Sequence, residues 1–138
     1  MQRVGIVSIP LLVAGLVAAL PAQPPQGQSS QIEHGKYLVE KVAMCVECHT
    51  RRNTRGELDR NKLLQGAPIP LQSPFRNQQW AFQAPDIAGL PGWTTQDAIR
   101  LLQTGRRMTG LSPKPPMPSY RLTQVDAEAV VAYLKSMR

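Results

Sequence analysis

The pattern of apolar and polar positions predicts a first helix between Gln31 and Met44. Its apolar side chains lie three or four residues apart, as they do along one face of a helix; they are Ile32, Leu38, Val39 and Val42. Gly35 falls on the same stripe. Because a glycine inside a helix costs about 1 kcal/mol relative to alanine, Gly35 indicates either the close approach of another element or a frayed first turn.

Two further helices are predicted nearer the C-terminus, and both open in the same way. The first has Thr94 at its N-cap and Asp97 three residues later, where a negative charge suits the positive end of a helix. Gly105 closes that helix as a C-cap. The last helix opens with Thr123 and Asp126 in the same arrangement. The inner faces are apolar at Ile99 and Leu102 in one helix and at Val130, Tyr133, Leu134 and Met137 in the other.

Regular periodicity is absent between these helices. From Thr50 to Gly92, and again from Arg106 to Tyr120, frequent prolines and glycines leave room only for turns and short helical pieces. Irregular segments of this length are uncommon in a compact domain unless they wrap something. The pattern therefore predicts an all-α domain, with three main helices joined by long proline-rich loops around a bound group.

Residues 1–22 have the composition of a secretory signal peptide. Arg3 supplies a positive start, Val4 to Leu20 an apolar run, and Ala19 and Ala22 are the candidate cleavage positions. An uncleaved membrane anchor is the alternative, although the run is at the short end of the roughly 17–25 residues that span a bilayer. We expect cleavage and export to the periplasm, with membrane attachment only if the leader stays uncut.

The rest of the chain divides into a short linker and one folded domain. Residues 23–30 are polar and rich in glutamine, proline, glycine and serine, which predicts a flexible segment. Residues 31–138 are then the domain. Its core is small, so a bound apolar group would supply part of the missing buried volume.

The motif Cys45-Val46-Glu47-Cys48-His49 contains the only two cysteines of the chain. This C-x-x-C-H arrangement is typical of covalent attachment of haem. One helical turn aligns the two thiols with the two vinyl groups on one edge of the porphyrin. The next residue, His49, then lies beneath the ring, where a neutral imidazole is a good ligand for the iron. The motif predicts one covalently bound haem c, with His49 as an axial ligand.

Three other interpretations of the two cysteines are weaker. A reversible dithiol of the thioredoxin type requires a βαβ setting, and no strand pattern surrounds the motif. A structural zinc site requires four ligands, and His34 is the only other histidine. A disulfide that closes so short a loop would constrain little of the unfolded chain.

The charge of the chain is strongly basic, with 16 Lys and Arg against 9 Asp and Glu and a net charge of +7. A basic cluster follows the motif and comprises Arg51, Arg52, Arg55, Arg60 and Lys62. An exported chain does not normally meet nucleic acid, so the cluster indicates either a docking surface near the haem edge or ordinary solubilising charge. Nucleophile–base pairs and paired carboxylates suited to catalysis are not evident, so the chain is not predicted to be an enzyme by itself.

The second iron ligand has one leading candidate. Met117 lies in Pro115-Pro116-Met117-Pro118, a stiff extended segment that could hold a sulfur against the iron at small entropic cost. Met108 is the second choice. Met117 could instead be a core methionine, which would leave the iron five-coordinate. Little weight falls on Met44, Met137 and His34, which are adjacent to the motif, on the stripe of the last helix and at the start of the first helix.

Over residues 31–138 the chain resembles the class I c-type cytochromes, and in its middle and end the single-haem cytochromes that accept electrons from periplasmic dehydrogenases. The resemblance rests on Gly35-Lys36-Tyr37-Leu38, the C-x-x-C-H motif, Pro85-Asp86-Ile87, Gly92-Trp93-Thr94, Pro116-Met117-Pro118-x-Tyr120 and Ala132-Tyr133-Leu134-Lys135. It implies that Cys45 and Cys48 hold the haem while His49 and Met117 ligate the iron.

The same resemblance implies further contacts. The first and last helices should cross near Gly35 and Tyr133–Leu134, and a proline carbonyl should accept the other N–H of the proximal histidine, for which Pro68 is the candidate. The loop from Leu63 to Ala84 departs from the family pattern. The candidate donors to the haem propionates are Trp80, Trp93 and Arg76.

These observations predict an exported electron-transfer protein that carries one electron at a time. The expected partners are redox proteins, with a periplasmic dehydrogenase as donor and an oxidase or another cytochrome as acceptor. Two alternatives remain: a five-coordinate haem c protein that senses or binds gases, and a fixed electron-transfer subunit of a larger dehydrogenase or oxidase complex.

Overall fold

The computed structural model describes residues 26–137. Its elements in chain order are α1 (Gln26–Tyr37), a π-helical turn (Leu38–Val42), α2 (Cys45–His49), a 3-10 turn (Arg60–Lys62), β1 (Gln65–Pro68), β2 (Gln83–Asp86), α3 (Thr95–Thr104) and α4 (Gln124–Ser136). The three main helices of the predicted all-α fold correspond to α1, α3 and α4. Within the described part of the chain, no helix has both the length and the apolar character needed to cross a bilayer. The predicted leader lies outside the described residues.

Helix α1 begins earlier than the apolar stripe predicts. It starts at Gln26, inside the segment 23–30 that was predicted to be a flexible linker, so residues 26–30 are helical instead. These residues are polar, and those after Gln26 are exposed. Once the packed part of α1 has formed, adding one more turn requires no new nucleation. Polar composition alone therefore does not mark the helix start.

Helices α1 and α4 cross at Gly35, as predicted. A Cβ atom added to Gly35 would lie 2.5 Å from the carbonyl carbon of Ala129 and 2.9 Å from Cβ of Tyr133. The absence of a side chain thus lets the two backbones touch. The crossing is flanked by two hydrogen bonds: the Tyr133 hydroxyl donates to Glu40 Oε1 at 2.7 Å, and His34 Nε2 lies 2.8 Å from Asp126 Oδ1.

The predicted caps of α3 and α4 are present. Thr94 Oγ1 accepts the N–H of Asp97 at 3.1 Å, and Thr123 Oγ1 accepts the N–H of Asp126 at 3.2 Å. Gly105 closes α3 in the left-handed region with φ 69°. These local bonds supply partners for helix-end groups that would otherwise lack them.

The segment 50–92 contains a small antiparallel sheet that the sequence did not predict. Strands β1 and β2 pair with Gln65 opposite Asp86, Ala67 opposite Ala84 and Pro68 opposite Gln83. The expectation of turns and helical pieces alone was therefore wrong here. Gly66 allows the pairing, because it has φ +84° and an added Cβ would lie 3.0 Å from both the Ala84 oxygen and the Asp86 nitrogen.

The hydrophobic core joins the helices to the loop between them. Its fully buried members include Val39 from the π-helical turn, Leu64 from the loop before β1, and Ala127 from α4. Leu90, from the loop after β2, packs in the same cluster. Because Leu64 and Leu90 are anchored in this core, the irregular segment that contains the sheet has a fixed position against α2.

Candidate functional site

A change in helical winding positions the cysteine motif. The π-helical turn ends where the N–H of Ala43 donates to the Leu38 oxygen at 2.7 Å. Met44 then adopts a left-handed conformation with φ 50°, which stops the first helix and allows α2 to start in a new direction at Cys45. π-Helical turns are rare and often occur at functional sites.

Both cysteines of α2 are free and partly buried. Three residues apart on a helix, Cys45 and Cys48 lie on the same face. Burial raises the pKa of the Cys45 thiol, so this sulfur keeps its proton at neutral pH. The two thiols are thus neighbours on one helical turn, and neither is in a disulfide bond.

His49 is buried at the end of the same helix, and a backbone carbonyl orients its ring. Its Nδ1 lies 2.8 Å from the oxygen of Pro85. A carbonyl oxygen can only accept, so the proton is on Nδ1 and a neutral ring carries its lone pair on Nε2. Burial lowers the pKa of His49, partly opposed by the bond to Pro85. The imidazole is therefore neutral, with Nε2 available for a metal.

The identity of this carbonyl corrects the sequence analysis. Pro68 was the predicted acceptor, but it lies in β1, opposite Gln83 in the sheet. Pro85, in the neighbouring strand β2, takes the role instead: its carbonyl oxygen is the one within hydrogen-bond distance of His49 Nδ1. Pro85 was part of the motif Pro85-Asp86-Ile87 that carried the family resemblance, so a signal for it was present in the sequence.

A chain of hydrogen bonds holds Pro85 against His49. Thr50, which follows His49 and is only 1% exposed, accepts the N–H of Leu64 on its Oγ1 at 2.9 Å. The Leu64 carbonyl in turn accepts the N–H of Ile87 at 2.9 Å. The residue after the imidazole is thus connected through Leu64 to the segment that carries Pro85. Sequence reasoning missed Thr50, although its position beside His49 was a usable hint.

The proline-rich segment that contains Met117 is bonded at two places. Before Met117, the carbonyl of Pro115 accepts the N–H of Ala81 at 2.8 Å. After it, the hydroxyl of Tyr120 donates to the carbonyl of Ala43 at 3.0 Å. Met117 itself is half-buried. The segment therefore reaches from the loop after β1 to the residues just before Cys45.

The other candidate ligands have different surroundings. Met108 is 63% exposed, and its N–H is held by Asp97 Oδ1 at 2.6 Å in a turn after α3. Met44 is 50% exposed, while Met137 packs against the hydrophobic core. His34 is bonded to Asp126 on the surface. Met117 thus remains the leading candidate for the second iron ligand.

The three predicted propionate donors lie in separate environments. Trp80 donates its indole N–H to the Leu71 carbonyl at 2.8 Å; tryptophan has only this donor, so Trp80 cannot also bind a propionate while this bond is kept. The ring of Trp93 lies under the Arg107 guanidinium, 4.2 Å from its carbon to the ring centroid. Arg76 is exposed in the loop between the strands.

Two of the five residues of the basic cluster are in ion pairs. Arg52 pairs with Glu47 at 2.5 Å, and Arg55 pairs with Glu57 at 2.9 Å. The remaining basic residues of the cluster are exposed and lie in the same segment; they are Arg51, Arg60 and Lys62. The surface next to α2 therefore keeps an excess of positive charge.

The residues of α2 fit a covalently attached haem. Two free thiols one turn apart match the two vinyl groups of the porphyrin, and a neutral imidazole with Nε2 free matches the iron. The carbonyl behind Nδ1 is the outer partner that ligating histidines usually have, and it fixes both tautomer and orientation. Cys45, Cys48 and His49 would hold the group.

Comparisons with known proteins agree with this fit. The chain is 30% identical over 113 residues to the fructose dehydrogenase cytochrome subunit of Gluconobacter japonicus, an alignment that covers 75% of this chain and 21% of that protein. It is 41% identical over 56 residues to a diheme cytochrome c-type protein of Cereibacter sphaeroides, covering 40% of this chain and 19% of that protein. The matched region spans about a fifth of each relative.

The match to a protein family extends over nearly all of the folded region. The profile described as Cytochrome c matches residues 32–138, which include α2, the sheet, Met117 and helices α3 and α4. The chain therefore belongs to the cytochrome c family and has the covalent haem-attachment motif of c-type cytochromes.

Proposed function

We propose that this cytochrome c carries one electron at a time, on a single covalently attached haem c, between redox proteins outside the cytoplasm. The observation that carries the proposal is the orientation of His49 by the Pro85 carbonyl at 2.8 Å, at the end of the helix that holds both thiols. When bound, haem c supplies an iron that accepts or releases one electron.

The residues of α2 have separate tasks in this function. The thiols of Cys45 and Cys48 would hold the haem covalently, each through one of its vinyl groups. His49 offers Nε2 to the iron in both oxidation states, because Pro85 holds its tautomer and orientation. Little has to rearrange when the electron moves, which keeps the barrier to transfer low.

The proposed second ligand is Met117. Its thioether sulfur would be the second protein ligand of the iron, and a His/Met pair raises the reduction potential. The bonds from Ala81 to Pro115 and from Tyr120 to Ala43 support it, because they fix the segment on both sides of Met117. With Met117 absent from the iron, the sixth position would be open to gases and a sensor function would follow.

Optical spectra of the full chain, expressed with a haem-maturation system, test the ligand set. We expect a low-spin reduced spectrum and an oxidised sulfur–iron charge-transfer band that Met117→Ala removes. Met108→Ala is the matched control and should keep the band. A high-spin wild type that binds carbon monoxide would support the sensor function instead. Protein without haem, despite working maturation, would contradict the proposal as a whole.

A single haem is proposed because the printed sequence has two cysteines, both in one motif. Intact-protein mass spectrometry measures the number directly, since each covalent haem adds its own mass. Replacing Cys45 and Cys48 by alanine should remove all covalent haem. A second haem mass in the wild type would contradict a single attachment site.

The proposed electron donor is a dehydrogenase. The support is the relative from Gluconobacter japonicus, whose name describes a cytochrome subunit of fructose dehydrogenase. The chain itself is proposed to be a carrier without an enzymatic reaction of its own.

Since that relative is a subunit, the second candidate is a fixed component of a dehydrogenase complex. Purification of the tagged chain from its native cells distinguishes the two: a complex subunit elutes with a dehydrogenase in constant ratio, whereas a shuttle elutes alone.

The exposed cluster Arg51, Arg60 and Lys62 is the proposed contact for an acidic partner, because exposed charge chiefly raises the rate of association. Replacing all three by glutamine should slow electron transfer from the donor at low salt and remove most of its salt dependence.

Export to the periplasm is proposed from the leader at 1–22. N-terminal sequencing of the native protein should find a start just after Ala19 or Ala22.

A further inference from the structure

The segment Pro113–Tyr120, here called the proline strap, is held by two hydrogen bonds that leave Met117 between them. The first is the Pro115 carbonyl accepting the N–H of Ala81. The second is the Tyr120 hydroxyl donating to the carbonyl of Ala43. The two partners belong to different parts of the chain, since Ala81 precedes β2 and Ala43 precedes the first cysteine.

The stiffness of the strap makes its ends important. Met117 stands between Pro116 and Pro118, and proline fixes φ and has no N–H to contribute to regular structure. Proline contributes no N–H to a helix or sheet ladder, so the position of the strap depends on its contacts with the rest of the chain. These are the two anchor bonds and the packing of Tyr120 against the core. The release of one end is therefore expected to move Met117 without unfolding the helices.

The Tyr120 anchor is tied to the haem attachment segment. Its acceptor, Ala43, ends the π-helical turn and lies two residues before Cys45. The Tyr120 hydroxyl thus connects the strap to the segment that leads into the haem-attachment motif. Tyr120 is half-buried, which strengthens the bond relative to one fully exposed to water.

The bond to Ala81 connects the strap to the loop between β1 and β2, which is itself held by two internal hydrogen bonds. The N–H of Ile69 donates to the Phe82 carbonyl at 2.9 Å, and the Trp80 indole donates to the Leu71 carbonyl at 2.8 Å. Trp80 and Phe82, the two neighbours of Ala81, are therefore both bonded across the base of the loop. The N–H of Ala81 is therefore presented from a fixed support.

We infer that Tyr120 and Ala81 are positioning residues for the axial methionine: together they hold the proline strap closed and so set how often the Met117 sulfur leaves the iron. This inference rests on the proposed ligation by Met117. Neither residue touches the reacting atoms in this role; both act through the position of Met117.

The inference makes a measurable difference to ligand exchange. An external ligand such as imidazole can bind the ferric iron only when Met117 is away, so its apparent affinity is proportional to the fraction of open strap. The loss of one anchor raises that fraction. A net hydrogen-bond contribution of the usual size corresponds to about a fivefold tighter apparent affinity for imidazole.

The test is an imidazole titration of the ferric holoprotein, followed by the sulfur–iron band, for wild type and Tyr120→Phe. Phenylalanine keeps the ring and removes only the donor. The matched control is Tyr133→Phe, which removes a second tyrosine hydroxyl bond, from α4 to Glu40 at 2.7 Å, away from the strap. We expect Tyr120→Phe to bind imidazole about fivefold more tightly and Tyr133→Phe to match the wild type, even though both variants unfold more easily.

A second readout separates local release from general destabilisation. On heating, the band of Tyr120→Phe should disappear at a lower temperature than the helical circular dichroism signal, because only the strap opens first. In Tyr133→Phe the two signals should keep the separation seen in the wild type. Ala81→Pro, which removes the other donor, should change imidazole affinity in the same direction as Tyr120→Phe.

The possible failures are distinguishable. A wild type without the sulfur–iron band, or a band that persists in Met117→Ala, overturns the ligand assignment and this inference with it. A band that Met117→Ala abolishes, combined with wild-type imidazole affinity in Tyr120→Phe, leaves the ligand assignment intact and overturns the positioning role alone. Equal effects of Tyr120→Phe and Tyr133→Phe on imidazole affinity overturn it as well.

Discussion

The N–H of Leu64 donates to the Thr50 hydroxyl at 2.9 Å, across 14 positions of the chain. Thr50 follows His49, the proposed iron ligand, and the Leu64 carbonyl accepts the N–H of Ile87, close to Pro85. The bond therefore couples the placement of the imidazole to that of its carbonyl partner. It is also fully shielded from solvent, because Thr50 and Leu64 are 1% and 0% exposed.

Replacing Thr50 by valine should destabilise the protein markedly. Valine fills nearly the same volume but leaves the buried N–H of Leu64 without an acceptor, which costs about 1–3 kcal/mol. Urea unfolding, followed by far-UV circular dichroism, measures the loss. Thr50→Ser should recover most of it, and Thr54→Val, in an exposed turn, should stay within about 0.5 kcal/mol of the wild type. Equal stability of the Thr50→Val and Thr54→Val variants would contradict the role of the buried bond.

Gly35→Ala should destabilise the protein, contrary to the usual effect of this substitution in a helix. Alanine normally gains about 1 kcal/mol over glycine there, but its methyl group would press on the Ala129 carbonyl and on Tyr133. We expect a net loss of about 1–3 kcal/mol from overpacking, measured by the same unfolding experiment.

Gly27→Ala is the control in the same helix, because nothing lies within 4 Å of the added carbon. It should leave stability unchanged or raise it by up to about 1 kcal/mol. If both substitutions stabilise the protein, helices α1 and α4 do not cross at Gly35.

The parts of the molecule that sequence reasoning predicted are those with local signals. Threonine caps at Thr94 and Thr123 and the glycine at the helix crossing depend on residues within a few positions or on one periodic stripe. The haem-attachment motif is likewise contiguous. Its chemistry can be inferred from the spacing of two thiols and an imidazole, without knowledge of the surrounding fold.

The parts that were missed depend on contacts between distant positions. The strands have the sequences QGAP and QAPD, without the β-branched or aromatic residues that indicate strands, so no strand pattern favoured Pro85 over Pro68. The one signal for Pro85 was its place in the Pro85-Asp86-Ile87 motif. The bond from Tyr120 to Ala43 joins residues 77 positions apart. Such pairings follow from the packed core and the sheet register, which periodicity does not reveal.

Asp126 should make the stability of the α1–α4 contact dependent on pH. Hydrogen bonds from His34 and then from the Thr123 hydroxyl lower the pKa of Asp126. An aspartate whose folded pKa lies below the unfolded value of about 3.9 adds stability above that value and loses it as the pH falls through the folded pKa. The stability difference between wild type and Asp126→Asn should therefore be constant near pH 5 and shrink below about pH 4.

Urea midpoints measured at several pH values between about 5 and 2.5 test this dependence, a range that brackets the titration of aspartate. His34→Gln should lose much of the pH-dependent stability that Asp126 contributes, because the hydrogen bond from His34 is the largest cause of the lowered pKa of Asp126. A wild-type advantage that stays constant to the lowest pH would show that the folded pKa of Asp126 is not lowered.

Asp97 should be the most sensitive carboxylate of the described residues, because it is buried and holds the turn after α3. One oxygen accepts the N–H of Met108 at 2.6 Å and the other accepts from two nitrogens of Arg107 at 3.2 Å. Asp97→Ala leaves these donors without their acceptor, and we expect a loss of about 1.5–3 kcal/mol in urea unfolding. Hydrogen exchange of the Met108 amide should also accelerate.

The control for Asp97 is Asp59→Ala, which removes a carboxylate that also accepts a backbone N–H, from Asn61 at 3.0 Å, but in an exposed 3-10 turn. Its cost should be about 1 kcal/mol or less. Both carboxylates accept a backbone N–H, but only Asp97 is buried. The comparison therefore decides whether burial or the hydrogen bond itself controls the loss of stability. Equal losses in the two variants would mean that the turn after α3 opens readily and that water replaces the carboxylate of Asp97.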